Sequence, residues 1–367
     1  MELVILGALG AAGAAMGGMA YYIYRSIGPV MPFLYADARI QARSNYLLSE
    51  TKLQAMADAR SLSEVANHVQ ETDYFEHVGK AANLREFHAG AEKGFLDSVD
   101  ELKKMSPENT HELFDAYLMF WEAKMVKAIY RAKKTGQEEF LSGEKGVLIP
   151  VGEFTEGMLA RAVEARTIAD IAVVLQDRPY FKIVEQEYGN VEQFEVALDS
   201  NVLEHFAQVV KKTKIYDGKI ITELLNTKFD IMNLLALIKM VSRGTEKGER
   251  EKMLIKNNTK LAERFAGLCK SETLQELVQG LEGLHYYEPM NEQLAVYEKE
   301  HSLSAFEIGL WKFYRTLVEK SAIEFGQGPY PIFAYLAKKE LELRNLLIVS
   351  KGVDAKMDVK ETMEMTV

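Results

Sequence analysis

Apolar residues recur at helical spacing in three widely separated stretches: Leu62, Val65, Ala66, Val69; Ile168, Ile171, Ala172, Leu175; and Leu274, Leu277, Val278, Leu281. Steps of three and four residues line one side of a helix, so the pattern predicts three helices that each turn one face to a core. Each stretch also carries its own start signal. Ser61, Thr167 and Thr273 are each followed three residues later by an acid (Glu64, Asp170 and Glu276), the pattern in which side chains satisfy the free N–H groups of a first helical turn. The copies lie 106 residues apart: "VANHVQETDYFEHV" at 65–78 returns as "IAVVLQDRPYFKIV" at 171–184 and as "LVQGLEGLHYYEPM" at 277–290. Tyr74, Tyr180 and Tyr286 occupy one position of this repeat, and the same offset found twice marks a chain built three times over.

A second element closes each unit. "EAKMVKAIYR" from Glu122, "DIMNLLALIK" from Asp230 and "ELRNLLIVSK" from Glu342 each open on an acid and close on a base, and the last two share an Asn three residues after the acid. Gly136, Gly244 and Gly352 follow and read as helix stops. The clearest loops are the turn at Pro29 and Pro32, the stretch from Ser142 to Glu153, and "GQGPYP" from Gly326 to Pro331. Period-two alternation is scarce, which predicts an all-α fold. The expected organisation is a membrane anchor and linker over 1–34, helical repeats over 35–150, 151–255 and 256–353, and a C-terminal tail over 354–367.

The N-terminus follows a different pattern. From Leu3 to Tyr24 run 22 residues without a charge, which as a helix would reach about 33 Å, the thickness of a bilayer core. Only Glu2 precedes the run and Arg25 follows it, so a transmembrane helix is expected rather than a cleaved leader. Tyr21, Tyr22 and Tyr24 form an interfacial belt; with Arg25, Arg39 and Arg43 beyond, the body is expected on the cytoplasmic side of the cell membrane. Ten of the twelve residues at 7–18 are Gly or Ala, and Gly13 and Gly17 have the spacing that lets membrane helices approach closely.

Composition narrows the chemistry. The 367 residues carry a formal net charge of −10 and no basic run, which argues against a nucleic-acid partner. One cysteine, Cys269, excludes an internal disulfide framework and reads as a small core residue. Neither glycine-rich phosphate-loop pattern occurs, so no direct nucleotide contact and no cofactor is expected. A Glu/His metal site is the alternative to weigh: Glu108 with His111 and Glu282 with His285 have the spacing that points two ligands at one metal. The two pairs stand at non-equivalent places in the repeat, and Pro107 and Gly283 interrupt the helices they would need. The expectation is no catalytic, cofactor-binding or metal-binding residue.

"YADARIQARSNYLL" at 35–48, "ETDYF" at 71–75 with its echo "DRPYF" at 177–181, and "GPYPIFAYLAKKELELRNLLIVSKG" at 328–352 together resemble the C subunit of archaeal and vacuolar-type rotary ATPases, called the d subunit in the eukaryotic enzyme. The resemblance runs from about Tyr35 to about Gly352. It implies three similar helical bundles around a pseudo-threefold axis, forming a funnel. It further implies a non-catalytic central-stalk socket between the central-shaft subunits and the proteolipid ring, linking ATP synthesis or hydrolysis to proton or sodium transport. The N-terminal helix departs from the soluble form of that family and is expected to dock in or against the ring.

Overall fold

The computed structural model describes residues 21, 22, 24, 27–141 and 148–367. Among them there is no β-strand, only an isolated bridge between Val151 and Phe154. The chain begins with α1 (Leu34–Ser44), α2 (Glu50–Ala57), α3 (Leu62–His68) and α4 (Phe75–Val78), then the long α5 (Leu84–Met105) and α6 (His111–Thr135). Short helices α7 (Glu156–Glu164), α8 (Ile168–Val174) and α9 (Phe181–Glu185) lead to the long α10 (Val191–Thr213) and α11 (Gly218–Ser242). Next come α12 (Lys247–Arg250), α13 (Phe265–Leu268) and α14 (Leu274–Gln279), then α15 (Tyr287–Glu300), α16 (Ser304–Glu324), α17 (Tyr330–Asp354) and α18 (Val359–Glu364).

All three expected caps form. Ser61 Oγ, Thr167 Oγ1 and Thr273 Oγ1 accept from the backbone N–H groups of Glu64, Asp170 and Glu276 at 3.3, 3.1 and 3.1 Å. The return bond differs with side-chain length. Asp170 reaches the N–H of its own cap, whereas the longer Glu64 and Glu276 reach one residue further back, to Arg60 and Glu272. Gly136 and Gly244 stop α6 and α11 in the left-handed region at φ 70° and 66°, as a missing Cβ permits. Gly352 corrects the third expectation, because it lies inside α17. A Cβ there would stand 2.5 Å from Thr362 Oγ1, so this glycine brings α17 and α18 together, and Lys356 at φ 55° makes the left-handed turn instead.

One continuous apolar core runs from Phe33 to Val367. Helix α10 packs along α6; α17 packs against α5, α16 and α11 and also against α1 and α2, so the last long helix meets the start of the body. The expected tail contributes α18 and the buried Val367. The expected membrane span lies outside the described residues apart from Tyr21, Tyr22 and Tyr24, which are helical and exposed. Among the described residues no helix is long and apolar enough to cross a membrane.

Candidate functional site

The acid that opens each recurrent late element sits on a long helix: Glu122 on α6, Asp230 on α11 and Glu342 on α17. All three are buried, at 1, 3 and 6% exposure. A buried carboxylate is costly unless its oxygens are hydrogen-bonded. Each therefore collects donors from distant parts of the chain, and one of those donors is in every case the repeat tyrosine.

The Tyr180 hydroxyl donates to Glu122 Oε2 at 3.0 Å, the Tyr286 hydroxyl to Asp230 Oδ2 at 2.9 Å, and the Tyr74 hydroxyl to Glu342 Oε2 at 3.1 Å. The order is cyclic. The second tyrosine reaches back to the first acid and the third tyrosine to the second acid. The first tyrosine reaches the last acid, across 268 residues of chain. Burial, added to the adjoining carboxylate, pushes all three phenols above their usual range, so each hydroxyl stays a donor.

A second donor comes from the segment that enters a unit. Glu153 N–H donates to Glu122 Oε1 at 3.2 Å and Leu48 N–H to Glu342 Oε1 at 2.6 Å. At Asp230, Asn257 Nδ2 and Thr259 Oγ1 donate to Oδ1 at 2.7 and 2.9 Å. Charge is compensated differently at each junction. Arg178 donates through Nη2 and Nε to Glu122 Oε2 at 2.8 and 3.1 Å, and it also pairs with Glu153. Lys339 lies 2.6 Å from Glu342 Oε2 and 4.2 Å from the centre of the Tyr74 ring. Asp230 has neutral donors alone among the described residues. Burial pushes the Glu122 and Asp230 carboxyls up, and the donors around them pull back down.

Beyond each acid lies a clamp. Three residues after Asp230 and Glu342, Asn233 and Asn345 pair with both backbone groups of a residue 22 positions ahead, Ile255 and Val367. The first unit has Met125 in that position, and its sulfur accepts from Ile149 N–H at 3.5 Å. The acids, the tyrosines and the shared Asn were legible in the sequence as recurring positions. Their pairing was not, and Arg178, Lys339, Asn257 and Thr259 were missed, because each unit satisfies its acid with different residues, cationic at Glu122 and Glu342 and neutral at Asp230.

The Glu/His pairs do not converge. Glu108 opens a short 3₁₀ turn, and His111 Nε2 contacts the Ser106 carbonyl at 3.2 Å. His285 stacks on Phe313 at 5.4 Å between ring centres, behind a turn in which Gly283 has φ 81°. Among the described residues no group of three or more His, Cys, Asp or Glu is placed to hold a metal. Cys269 is buried in the core, and its thiol is pushed up to about 11 by burial, which leaves it unreactive as a nucleophile. The chain's two tryptophans line one cavity of about 400 Å³, but Lys124 and Arg344 already lie over Trp121 and Trp311 at 4.9 and 5.3 Å. Those faces are not left open for an outside cation.

The model of the family described as ATP synthase (C/AC39) subunit matches residues 36–365. The C subunit of the A-type ATP synthase of Methanocaldococcus jannaschii is 28% identical over 347 residues, covering 90% of this chain and 85% of the relative. The protein of the same name from Methanothermobacter thermautotrophicus is 25% identical, covering 95% and 91%. That from Pyrococcus abyssi is 22% identical, covering 95% and 93%.

Proposed function

Because the chain belongs to the ATP synthase (C/AC39) subunit family, we propose that it is the non-catalytic central-stalk subunit of an A-type ATP synthase. In this reading it is a socket: one face seats on the proteolipid ring, another receives the foot of the central shaft, and torque passes between ion flow and ATP turnover. The observation that carries the reading is the family match along 36–365, essentially the whole folded body. The ions moved are protons or sodium.

The three tyrosine–carboxylate junctions support a pseudo-threefold funnel built from repeats at 35–150, 151–255 and 256–353. They also suit a torque-bearing part. Hydrogen-bonded carboxylates in a close-packed interior resist deformation, and the Tyr74–Glu342 bond fastens the two ends of the body to each other. For the ring face we assign the exposed apolar residues Ile27, Met31, Leu34 and Tyr35, which continue from the proposed membrane anchor between Leu3 and Tyr24. Tyr216 and Val30 flank Gly328 beside this surface. The body then lies on the cytoplasmic side of the membrane.

The test is reconstitution of the full chain with purified shaft subunits and a detergent-held proteolipid ring. A three-part complex that elutes together, with shaft and ring separate when the chain is omitted, is the expected result. Shaft and ring that associate equally well without the chain would overturn the reading.

A further inference from the structure

The paired long helices of each unit are joined by a hairpin tip, at 106–110, 214–217 and 325–329. The three tips gather at one end of the body. Lys212 at the end of α10 pairs with Glu112 at the start of α6 at 2.8 Å, which sets the second tip beside the first. Gly328 of the third tip is flanked by Val30 and Tyr216: a Cβ there would lie 3.2 Å from the valine and 3.5 Å from the tyrosine ring. Val30 belongs to the linker that leads back to the proposed anchor between Leu3 and Tyr24, and Asp37 Oδ2 on α1 accepts from Gly328 N–H at 2.9 Å. The second tip therefore sits beside the linker to the proposed anchor.

The three tips differ in charge. The first balances Lys103 and Lys104 with Glu108 and Glu112, and the third holds no charge and follows Glu324. The second is basic: Lys214 lies in it, Lys211, Lys212 and Lys219 flank it, and Asp217 is its one acid. All four lysines are exposed. Lys212 and Lys219 meet Glu112 and Glu223 at 2.8 and 3.7 Å in pairs that water screens, and Lys211 and Lys214 have no ion pair among the described residues. Backbone φ values of 49° at Lys214 and 57° at Asp217 turn the chain sharply, and Tyr216 between them is 47% exposed. A tyrosine, with an apolar ring and a polar hydroxyl, settles at the headgroup level of a bilayer, and each lysine near an anionic leaflet strengthens association about fivefold. A chain of net charge −10 is otherwise repelled by such a leaflet, so a basic tip is what lets this end approach it. We infer that the second tip contacts the headgroups of anionic phospholipids at the membrane surface, through Tyr216, Lys211, Lys214 and Lys219. This contact rests on the socket reading for which end of the body faces the membrane. It differs from the ring face, which is apolar, and from the shaft face, which that reading sets on the side away from the membrane.

The test places a photo-crosslinking aromatic residue at 216 in the full chain, reconstituted in vesicles of phosphatidylcholine with about one third phosphatidylglycerol, and identifies the adduct by mass. A second probe at the exposed Lys212 keeps the result readable should the Tyr216 variant fail to fold. The expected product is a lipid adduct in which phosphatidylglycerol is enriched about threefold over its share of the vesicle, and the combined variant Lys211→Gln, Lys214→Gln, Lys219→Gln should lose that enrichment. Adducts in the proportions of the vesicle, capture of a second copy of this chain, or no adduct would overturn the contact, as would enrichment indifferent to the three lysines. The same probe in the assembled complex should again capture lipid, and a proteolipid or shaft peptide in its place would also overturn the contact. Co-elution of ring and shaft with the chain is scored separately. Lipid capture without co-elution counts against the socket reading alone, and co-elution without lipid capture against this contact alone.

Discussion

Each repeat tyrosine buries a hydroxyl whose hydrogen bond goes to a buried acid, so each is expected to matter in the same way. Tyr74→Phe, Tyr180→Phe and Tyr286→Phe should each cost about 1.5–3 kcal/mol, the range for a lost hydrogen bond to a charged group. Urea unfolding of the three variants checks this, and a variant within about 0.5 kcal/mol of the parent would show that its junction carries no load. Asp37 on α1 behaves differently. Its Oδ2 accepts from Gly328 N–H at 2.9 Å while Oδ1 has no partner among the described residues, and burial pushes the carboxyl up to about 6. The folded chain then binds a proton that the unfolded chain has released, so stability falls as pH rises from about 4 to about 6. Asp37→Asn keeps an acceptor for Gly328 and should remove the Asp37 share of that slope, leaving the share of other raised carboxyls such as Glu122 and Asp230. Unfolding midpoints of parent and variant at pH values of about 4.5 and about 7 decide it: a variant with the same change between the two pH values as the parent would contradict the assignment.

At the scale of elements, what the sequence disclosed was what lies close along the chain. The caps at Ser61, Thr167 and Thr273 were legible because a capping side chain and its target are three residues apart. Gly352 was misread for a related reason. A glycine after an apolar helical run looks like a stop, and only α18 folding back onto α17 reveals that the missing Cβ makes room for Thr362. The junctions stayed hidden because spacing does not say which acid a tyrosine finds 56, 58 or 268 residues away. The Asn clamps lie between these cases: the shared Asp/Glu-x-x-Asn was visible, its target was not. Asn345→Leu and Asn233→Leu should each cost about 1–3 kcal/mol, since both backbone groups of Val367 or Ile255 lose their partner inside the fold. Hydrogen exchange should show faster exchange of the Val367 or Ile255 amide in the matching variant, and unchanged protection would contradict the clamp.

The folded body, as a whole molecule, joins its two ends. Helix α17 near the C-terminus packs on α1 and α2, Glu342 takes the hydroxyl of Tyr74 and the N–H of Leu48, and one core continues from Phe33 to Val367. Among the described residues both ends of the body are packed into one core, which suits the proposed torque-passing role. The central claim is that this chain mechanically connects a catalytic head to a membrane rotor. The most direct measurement is ATP-driven ion uptake by membrane vesicles from cells that lack the chain, taken alongside ATP hydrolysis. The account predicts a head that still hydrolyses ATP, no ion uptake, and ready separation of the head from the membrane sector. Full coupled uptake by an intact complex without the chain would contradict it.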